Sequence, residues 1–252
     1  MNRFIIGVDE AGRGPAIGPM VIASIAIPEK DVQILRDLGT TDSKVLSKRK
    51  RREIEERVNL SSLKLNWKIC IISISAESID FSKPLRSLND LGAEAFKQAI
   101  EGVSSESTVA TVNMDPIGNK PDLFASRMAK EFLPHRPNLS FYSVAGMDSK
   151  CPVTSAASIL AKEYRDREIE KLRDDLGFEI GSGYPSDPKT ISAVDKLTNQ
   201  HLPHESLRWT WKTTSEAWFR NHKCPIPVRS VEGVYPQQGL NSILWTEGRS
   251  ES

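Results

Sequence analysis

Residues 4–15 read FIIGVDEAGRGP and place two acids and a glycine-flanked arginine directly after an apolar run. The apolar run predicts a buried strand, so Asp9 and Glu10 are expected at its carboxyl end, where α/β sheets collect their reactive groups. Adjacent carboxylates in a partly buried cleft need a compensating cation, and hard divalent ions prefer oxygen ligands. This stretch therefore predicts a cation site at the end of a strand.

The glycines that follow the acids allow two other interpretations. Residues 12–18, GRGPAIG, are similar to a dinucleotide-binding loop, but that loop must lead into a helix, whereas residues 20–27, MVIASIAI, predict a second strand. The dinucleotide interpretation is therefore disfavoured. An ordinary hairpin turn is the other alternative, but a turn does not need two acids and an arginine.

The composition is that of a globular protein. A length of 252 residues allows one large domain, or one domain with a C-terminal appendage. No apolar stretch is long enough to span a bilayer and no signal peptide precedes the first strand, so we expect a cytoplasmic protein with no membrane partner. Three widely spaced cysteines are expected as reduced thiols: Cys70, Cys151 and Cys224. The net charge of +1 is uninformative, so a nucleic-acid partner must be argued from local patches.

Two further acids also follow predicted strands. Asp115 comes directly after a strand at 109–114, and Asp148 lies between a strand at 139–144 and a long helix at 152–172. Hydrophobic periodicity predicts one more strand at 63–74 and further helices at 47–59, 88–103, 121–132 and 189–198.

Some features remain open from the residues alone. The basic run at 48–52 is either a solvated helix face or a contact to a phosphate backbone. Tyr184, held between Gly183 and Pro185, is either a packing residue or a stacking platform. Large aromatic residues usually serve burial, so we expect core or docking roles for Trp209, Trp211 and Trp218.

Four acids at element ends, with few histidines, suit two Mg²⁺ or Mn²⁺ ions that clamp an in-line phosphoryl displacement. No arrangement of serine, histidine and aspartate favours a nucleophilic serine. A phosphodiester is the natural substrate. Lys44 and Arg13 could then contact phosphates, while Gly12 and Gly14 bring the backbone close to a sugar.

Five motifs follow one another along the chain. They are DEAGRGP at 9–15, DSK at 42–44, MD at 114–115, DSKCPVTSAASILAK at 148–162 and GSGYPSDP at 181–188. In this order they resemble the motifs of the type 2 ribonucleases H, ribonuclease HII, in the archaeal-like form. The resemblance runs from about residue 4 to about residue 220.

This resemblance implies a ribonuclease H-like α/β fold, with a five-stranded mixed sheet flanked by helices and a helical C-terminal region. It implies an endonuclease that hydrolyses the RNA strand of RNA–DNA hybrids. The enzyme would also cut 5′ to ribonucleotides in duplex DNA, leaving 3′-hydroxyl and 5′-phosphate ends. The implied ligands of the two metal ions are Asp9, Glu10, Asp115 and Asp148.

The resemblance also implies substrate-binding residues. Gly12, Arg13 and Gly14 would read the 2′-hydroxyl, which distinguishes RNA from DNA, and Tyr184 would lie at the sugar of the RNA–DNA junction. Lys44 and Lys162 are implied as phosphate-binding or site-ordering residues.

The expected division is a catalytic domain at 1–175, a helical region completing the substrate site at 176–224, and a flexible tail at 225–252. The tail is similar to peptides that dock on a sliding clamp, through Gln237, Leu240, Ile243 and Leu244. We expect a monomer. Two alternatives keep the fold: a non-catalytic nucleic-acid-binding subunit, and a related DNA junction nuclease.

Overall fold

The computed structural model describes residues 3–40, 46–230 and 233–235. These residues form two compact units. The first unit contains residues up to 13 together with 19–74 and 87–168; the second contains 14–18, 75–86 and the residues from 169 onward. The boundaries predicted at 175 and 224 stay predictions.

A five-stranded mixed sheet forms the centre of the first unit. Its order is β3-β2-β1-β4-β5, in which β1 pairs antiparallel with β2 and parallel with β4, β2 pairs antiparallel with β3, and β4 pairs parallel with β5. The predicted fold class is confirmed. The strands are β1 (Phe4–Ala11), β2 (Met20–Pro28), β3 (Lys68–Ile74), β4 (Ala110–Met114) and β5 (Leu139–Ser143).

Both units contain helices. Those that begin in the first unit are α1 (Val32–Asp37), α2 (Lys48–Leu65), α4 (Leu88–Val103), α5 (Pro121–Phe132), α6 (Met147–Lys150) and α7 (Pro152–Leu176), which continues into the second unit. Those of the second unit are α3 (Ala76–Ser82), α8 (Pro188–Thr198) and α9 (Lys212–His222). In the described part of the chain, no helix combines the length and the apolar character needed to cross a membrane.

Serine caps explain where several of these helices begin. The side chains of Ser47, Ser75 and Ser87 each accept a hydrogen bond from the backbone N–H three residues further on. This bond satisfies one of the donors that a helix start leaves open. The predicted start of α2 and both ends of α4 and α5 agree with the structure.

The predicted strand at 63–74 is wrong in its first part. Helix α2 continues to Leu65, and β3 begins only at Lys68. Asn66 ends the helix in the left-handed region with φ of 57°, and the amide of Trp67 donates to the carbonyl of Ser62 at 3.1 Å. The side chain of Leu63 is 82% exposed, so it does not share a buried strand face with the residues of β3.

Helix α7 packs directly against the sheet through its backbone. A Cβ atom placed on Gly7 would lie 2.3 Å from the carbonyl carbon of Val153, which only a glycine avoids. The hydroxyl of Thr154 also donates to the carbonyl of Asn113 in β4 at 3.1 Å. The start of α7 is thereby fixed over β1, which carries Asp9, and β4, which leads into Asp115.

The second unit has its own apolar core, in which Trp209 is buried, as the sequence predicts; Trp218 is buried too, and Trp211 is only half-buried. The segment predicted as a flexible tail from residue 225 contains a short hairpin formed by β6 (Val228–Ser230) and β7 (Gly233–Tyr235). Its Arg229 is buried with the guanidinium 4.0 Å from the ring centre of Trp209. This hairpin lies at the start of the segment, and the flexible tail stays a prediction.

Candidate active site

Two of the predicted acids come from neighbouring parallel strands. Val8 of β1 is level with Met114 of β4, and the amide of Asp115 donates to the carbonyl of Val8 at 3.2 Å. Because the strands are parallel and in register, the residues that follow this pair, Asp9 and Asp115, stand side by side at the same edge of the sheet.

Asp148 joins these two acids from the short helix α6. Gly146, in the left-handed region with φ of 70°, turns the chain into this helix, and its amide donates to Oδ1 of Asp115 at 3.2 Å. One carboxylate oxygen each of Asp9, Asp115 and Asp148 lies within 4.8 Å of the other two. We call these three residues the acid cluster.

Glu10 lies next to the acid cluster without belonging to this group. Its amide donates to Oδ1 of Asp9 at 2.8 Å, while its own Oε2 is buried and has no hydrogen-bond partner within the described residues. Burial, followed by the charges of Asp9 and Asp115, raises the pKa of the Glu10 carboxyl to about 8, and Arg13 opposes this shift.

Asp9 is buried at the edge of the sheet. Burial raises the pKa of its carboxyl to about 7; a hydrogen bond from the side chain of Ser158 opposes this rise, and the charges of Asp115 and Asp148 add to it. Without a cation, like charges at this distance repel one another and favour protonation.

These properties fit divalent cations. The donors are carboxylate oxygens, which Mg²⁺ and Mn²⁺ prefer, and a bound cation would offset both the burial of the charges and their mutual repulsion. The buried Glu10 oxygen faces the same charges and offers a further oxygen donor.

Sequence reasoning missed two residues of α7 that support this region. Ser158 is fully buried and hydrogen bonds to Asp9, and Arg165 is buried beside Gly12. Both are among several polar residues that α7 buries. Polar residues at buried helix positions are the signal that could have identified them.

Gly12 and Arg13 lie in the first unit together with the acids. Gly12 has φ of 81°, and a Cβ atom there would lie 2.5 Å from the Arg165 side chain and from the carbonyl of Pro19. The Arg13 guanidinium donates a hydrogen bond to Oδ1 of Asn89. Lys162 is half-buried in α7.

Gly14 and Tyr184 lie together in the second unit. Gly14 is exposed, and a Cβ atom on it would stand 3.8 Å from the Tyr184 ring, which is ordinary contact distance. The Tyr184 side chain is 38% exposed. We call these two residues the Gly14–Tyr184 surface; it offers a backbone edge and an aromatic ring to solvent.

Other predicted contacts lie outside the described residues. They are Lys44 and the clamp-binding residues Gln237, Leu240, Ile243 and Leu244.

The structure favours a structural role for part of the basic run. Arg51 is only 17% exposed and forms ion pairs with Glu163 at 2.8 Å and Asp166 at 2.7 Å. The nearby Arg49 is 90% exposed and pairs with Glu53 at 3.1 Å.

A family model and curated relatives identify one family. A family model described as ribonuclease HII matches residues 6–214. The ribonuclease HII of Methanococcoides burtonii is 38% identical over 217 residues, which cover 84% of this chain and 98% of that protein.

Two solved structures are similar to the chain as well. The ribonuclease H2 of Pyrococcus horikoshii OT3 matches with a TM-score of 0.75 and 34% identity, covering 87% of this chain and 99% of that one. A chain in the structure of the PCNA:RNase HII complex from Archaeoglobus fulgidus matches with a TM-score of 0.71 and 30% identity, covering 84% and 96%.

Proposed function

The chain belongs to the ribonuclease HII family, and on this premise we propose that it cuts 5′ to ribonucleotides embedded in duplex DNA, leaving 3′-hydroxyl and 5′-phosphate ends. The enzyme is an endonuclease that acts on RNA–DNA hybrids. The meeting of Asp9, Asp115 and Asp148 at one edge of the sheet is the observation that carries the proposed cleavage.

In this proposal Asp9, Glu10, Asp115 and Asp148 hold two Mg²⁺ or Mn²⁺ ions. Bound ions of this kind activate the attacking water and stabilise the charge on the leaving oxygen. The chain itself supplies a rigid set of oxygen donors. The register of β1 and β4 fixes two of them, and the Gly146 amide and the Ser158 hydroxyl restrain the carboxylates of Asp115 and Asp9.

Recognition of the ribose is assigned to Gly12, Arg13, Gly14 and Tyr184. Gly12 has a left-handed backbone conformation, and a side chain at this position would collide with Arg165. Gly14 is exposed, so a ligand can approach its backbone. The Tyr184 ring next to Gly14 offers a face for the sugar. Lys162 and Lys44 are proposed as phosphate-binding or site-ordering residues.

The non-catalytic alternative requires the acids to be structural. Burial and neighbouring charges raise the pKa values of Asp9 and Glu10, and carboxylates in such a position do not stabilise a fold, so this arrangement favours an enzyme. The alternative of a DNA junction nuclease predicts cleavage without any ribonucleotide.

The test is to map the cleavage positions on a labelled duplex that carries one ribonucleotide, beside an all-DNA duplex of the same sequence, in Mg²⁺ and separately in Mn²⁺. We expect one cut, 5′ to the ribonucleotide, and an intact all-DNA duplex. Binding without scission in both metals would support the non-catalytic subunit, and equal cutting of both duplexes would support the junction nuclease.

We also propose that the C-terminal tail binds a sliding clamp. A structural relative is a ribonuclease HII in complex with PCNA, and the tail of this chain carries Gln237, Leu240, Ile243 and Leu244 in an order similar to that of peptides that dock on a sliding clamp. Recovery on the immobilised cognate clamp should fall when Leu240→Ala and Ile243→Ala are combined; equal recovery contradicts the assignment. We further propose that the protein is a cytoplasmic monomer.

A further inference from the structure

The segment at 14–18 is held within the second unit by hydrogen bonds to two loops. The amide of Ala16 donates to the carbonyl of Gly183 at 2.8 Å, and the amide of Gly18 donates to the carbonyl of Ser206 at 2.9 Å. These bonds join the segment to the loop of Tyr184 on one side and to the residues before α9 on the other. They do not involve Gly14, the end of the segment that forms part of the Gly14–Tyr184 surface.

A tryptophan side chain holds Gly14 instead. The indole Nε1–H of Trp211 donates to the carbonyl oxygen of Gly14 at 3.1 Å. Glycine has the widest backbone freedom of any residue, and a hydrogen bond to its carbonyl restrains the rotation that this freedom allows. The indole therefore fixes the orientation of the exposed backbone at Gly14.

Other contacts restrain the position of Trp211 independently of its bond to Gly14. Its amide donates to the carbonyl of Arg208 at 3.1 Å, and its own carbonyl accepts from the amides of Thr214 and Ser215, each at 3.0 Å, where α9 begins. The guanidinium of Arg208 stands 4.9 Å from the centre of the indole ring, and the ammonium of Lys83 stands 5.6 Å from it. Cations over an indole face add attraction to these backbone restraints.

Burial alone does not account for this residue. Trp209 and Trp218 of the same unit are 3% and 5% exposed, whereas Trp211 packs against the core but stays half-buried. Its polar edge contacts Gly14, where a Cβ atom would lie 3.8 Å from the Tyr184 ring.

We propose that Trp211 is a positioning residue for ribose recognition, which sets the Gly14 backbone beside Tyr184 so that the enzyme prefers duplexes containing a ribonucleotide. The inference rests on the proposed role of Gly14 and Tyr184. It assigns no contact between Trp211 and the reacting atoms.

The test compares two substitutions that each delete one indole N–H. Trp211→Phe removes the bond to Gly14. Trp209→Phe is the matched control, because the indole of Trp209 donates to the carbonyl of His204, also at 3.1 Å, in the same unit. Both are made in a protein that carries Asp115→Asn, so that the duplex is not cut. Dissociation constants are measured in Mg²⁺ for a duplex with one ribonucleotide and for the all-DNA duplex.

We expect Trp211→Phe to lower the preference for the ribonucleotide duplex about fivefold, the effect of one lost hydrogen bond, with unchanged affinity for DNA. Trp209→Phe should keep the parent preference. Both affinities are measured on one preparation, so a smaller folded fraction cancels in the ratio. An undiminished preference in Trp211→Phe, or an equal loss in Trp209→Phe, overturns the inference. No preference in the parent protein overturns the proposed ribose recognition and this inference with it.

Discussion

Asp9 and Asp115 stand on paired strands of a sheet, whereas Gly14 and Tyr184 stand on loops joined by hydrogen bonds. Burial, with a smaller contribution from the like charges of the acid cluster, raises the pKa of Asp9, while the Gly14–Tyr184 surface is uncharged and its supporting bonds are mostly backbone bonds. A buried cluster of like charges requires a rigid support, whereas a surface that fits a sugar can be held by many weak bonds. We therefore expect one substitution in the acid cluster to change activity strongly, and one substitution near the Gly14–Tyr184 surface to change it only slightly.

Removing one charge of the acid cluster should have the largest effect. Asp115→Asn keeps an oxygen that can accept from the Gly146 amide but deletes a charge facing Asp9 and Glu10. We expect kcat to fall by about 10³-fold or more, because stabilisation of the charged transition state by bound metal is lost. Initial rates on the single-ribonucleotide duplex measure this loss.

The same substitution should stabilise the protein when no metal is present. Relief of carboxylate repulsion is expected to raise the free energy of unfolding by about 1 kcal/mol in a chelator, as measured by urea denaturation. Glu106→Gln, at an exposed position, is the control and should leave both stability and rate unchanged. A destabilised Asp115→Asn protein would mean that the carboxylate supports the fold.

A moderate effect is expected at the serine that holds Asp9. Ser158→Ala removes the hydroxyl that hydrogen bonds to the carboxylate, and it should raise the half-saturating Mn²⁺ concentration about tenfold in calorimetric titration. Ser155→Ala is the matched control: Ser155 is buried in the same helix, and its hydroxyl has no hydrogen-bond partner among the described residues. Equal metal affinities in the two variants would remove Ser158 from the site.

The smallest effect is expected in the second unit. The Thr190 hydroxyl accepts from the Gly183 amide at 2.9 Å and donates to the Ile180 carbonyl at 3.0 Å, so Thr190→Val leaves both backbone groups without this partner. We expect a loss of about 1–2 kcal/mol in the free energy of unfolding and a few-fold rise in KM for the single-ribonucleotide duplex.

Thr198→Val is the control that separates stability from recognition in that experiment. The hydroxyl of Thr198 donates to the Val194 carbonyl within α8 at 2.8 Å, away from the loop of Tyr184. The substitution should lower the stability of the second unit while KM stays at the parent value. If Thr190→Val lowered kcat as much as Asp115→Asn does, the contrast between the two regions would be contradicted.

The same contrast explains which features the sequence could predict. Apolar runs end directly at Asp9 and Asp115, so periodicity located both acids and the strands that bear them. The end of α2 was not predictable in this way, since leucines at 63 and 65 fit a strand alternation as well as a helix, and the left-handed Asn66 decides between them. The segment at 14–18 is hydrogen-bonded to Gly183 and Ser206, which lie far away in the chain. A local sequence pattern does not reveal such contacts.

The backbone contact at Gly7 sets a limit on how this enzyme can be varied. Position 7 accepts no side-chain volume, because a single added carbon would overlap the first turn of α7. A library that randomises residues 4–11 and selects for folded protein should therefore return glycine at position 7 almost exclusively, while the half-buried position 5 tolerates a range of apolar residues. A redesign of this enzyme should therefore keep the distance between α7 and β1 at Gly7 constant. The apolar residues around this contact can be substituted.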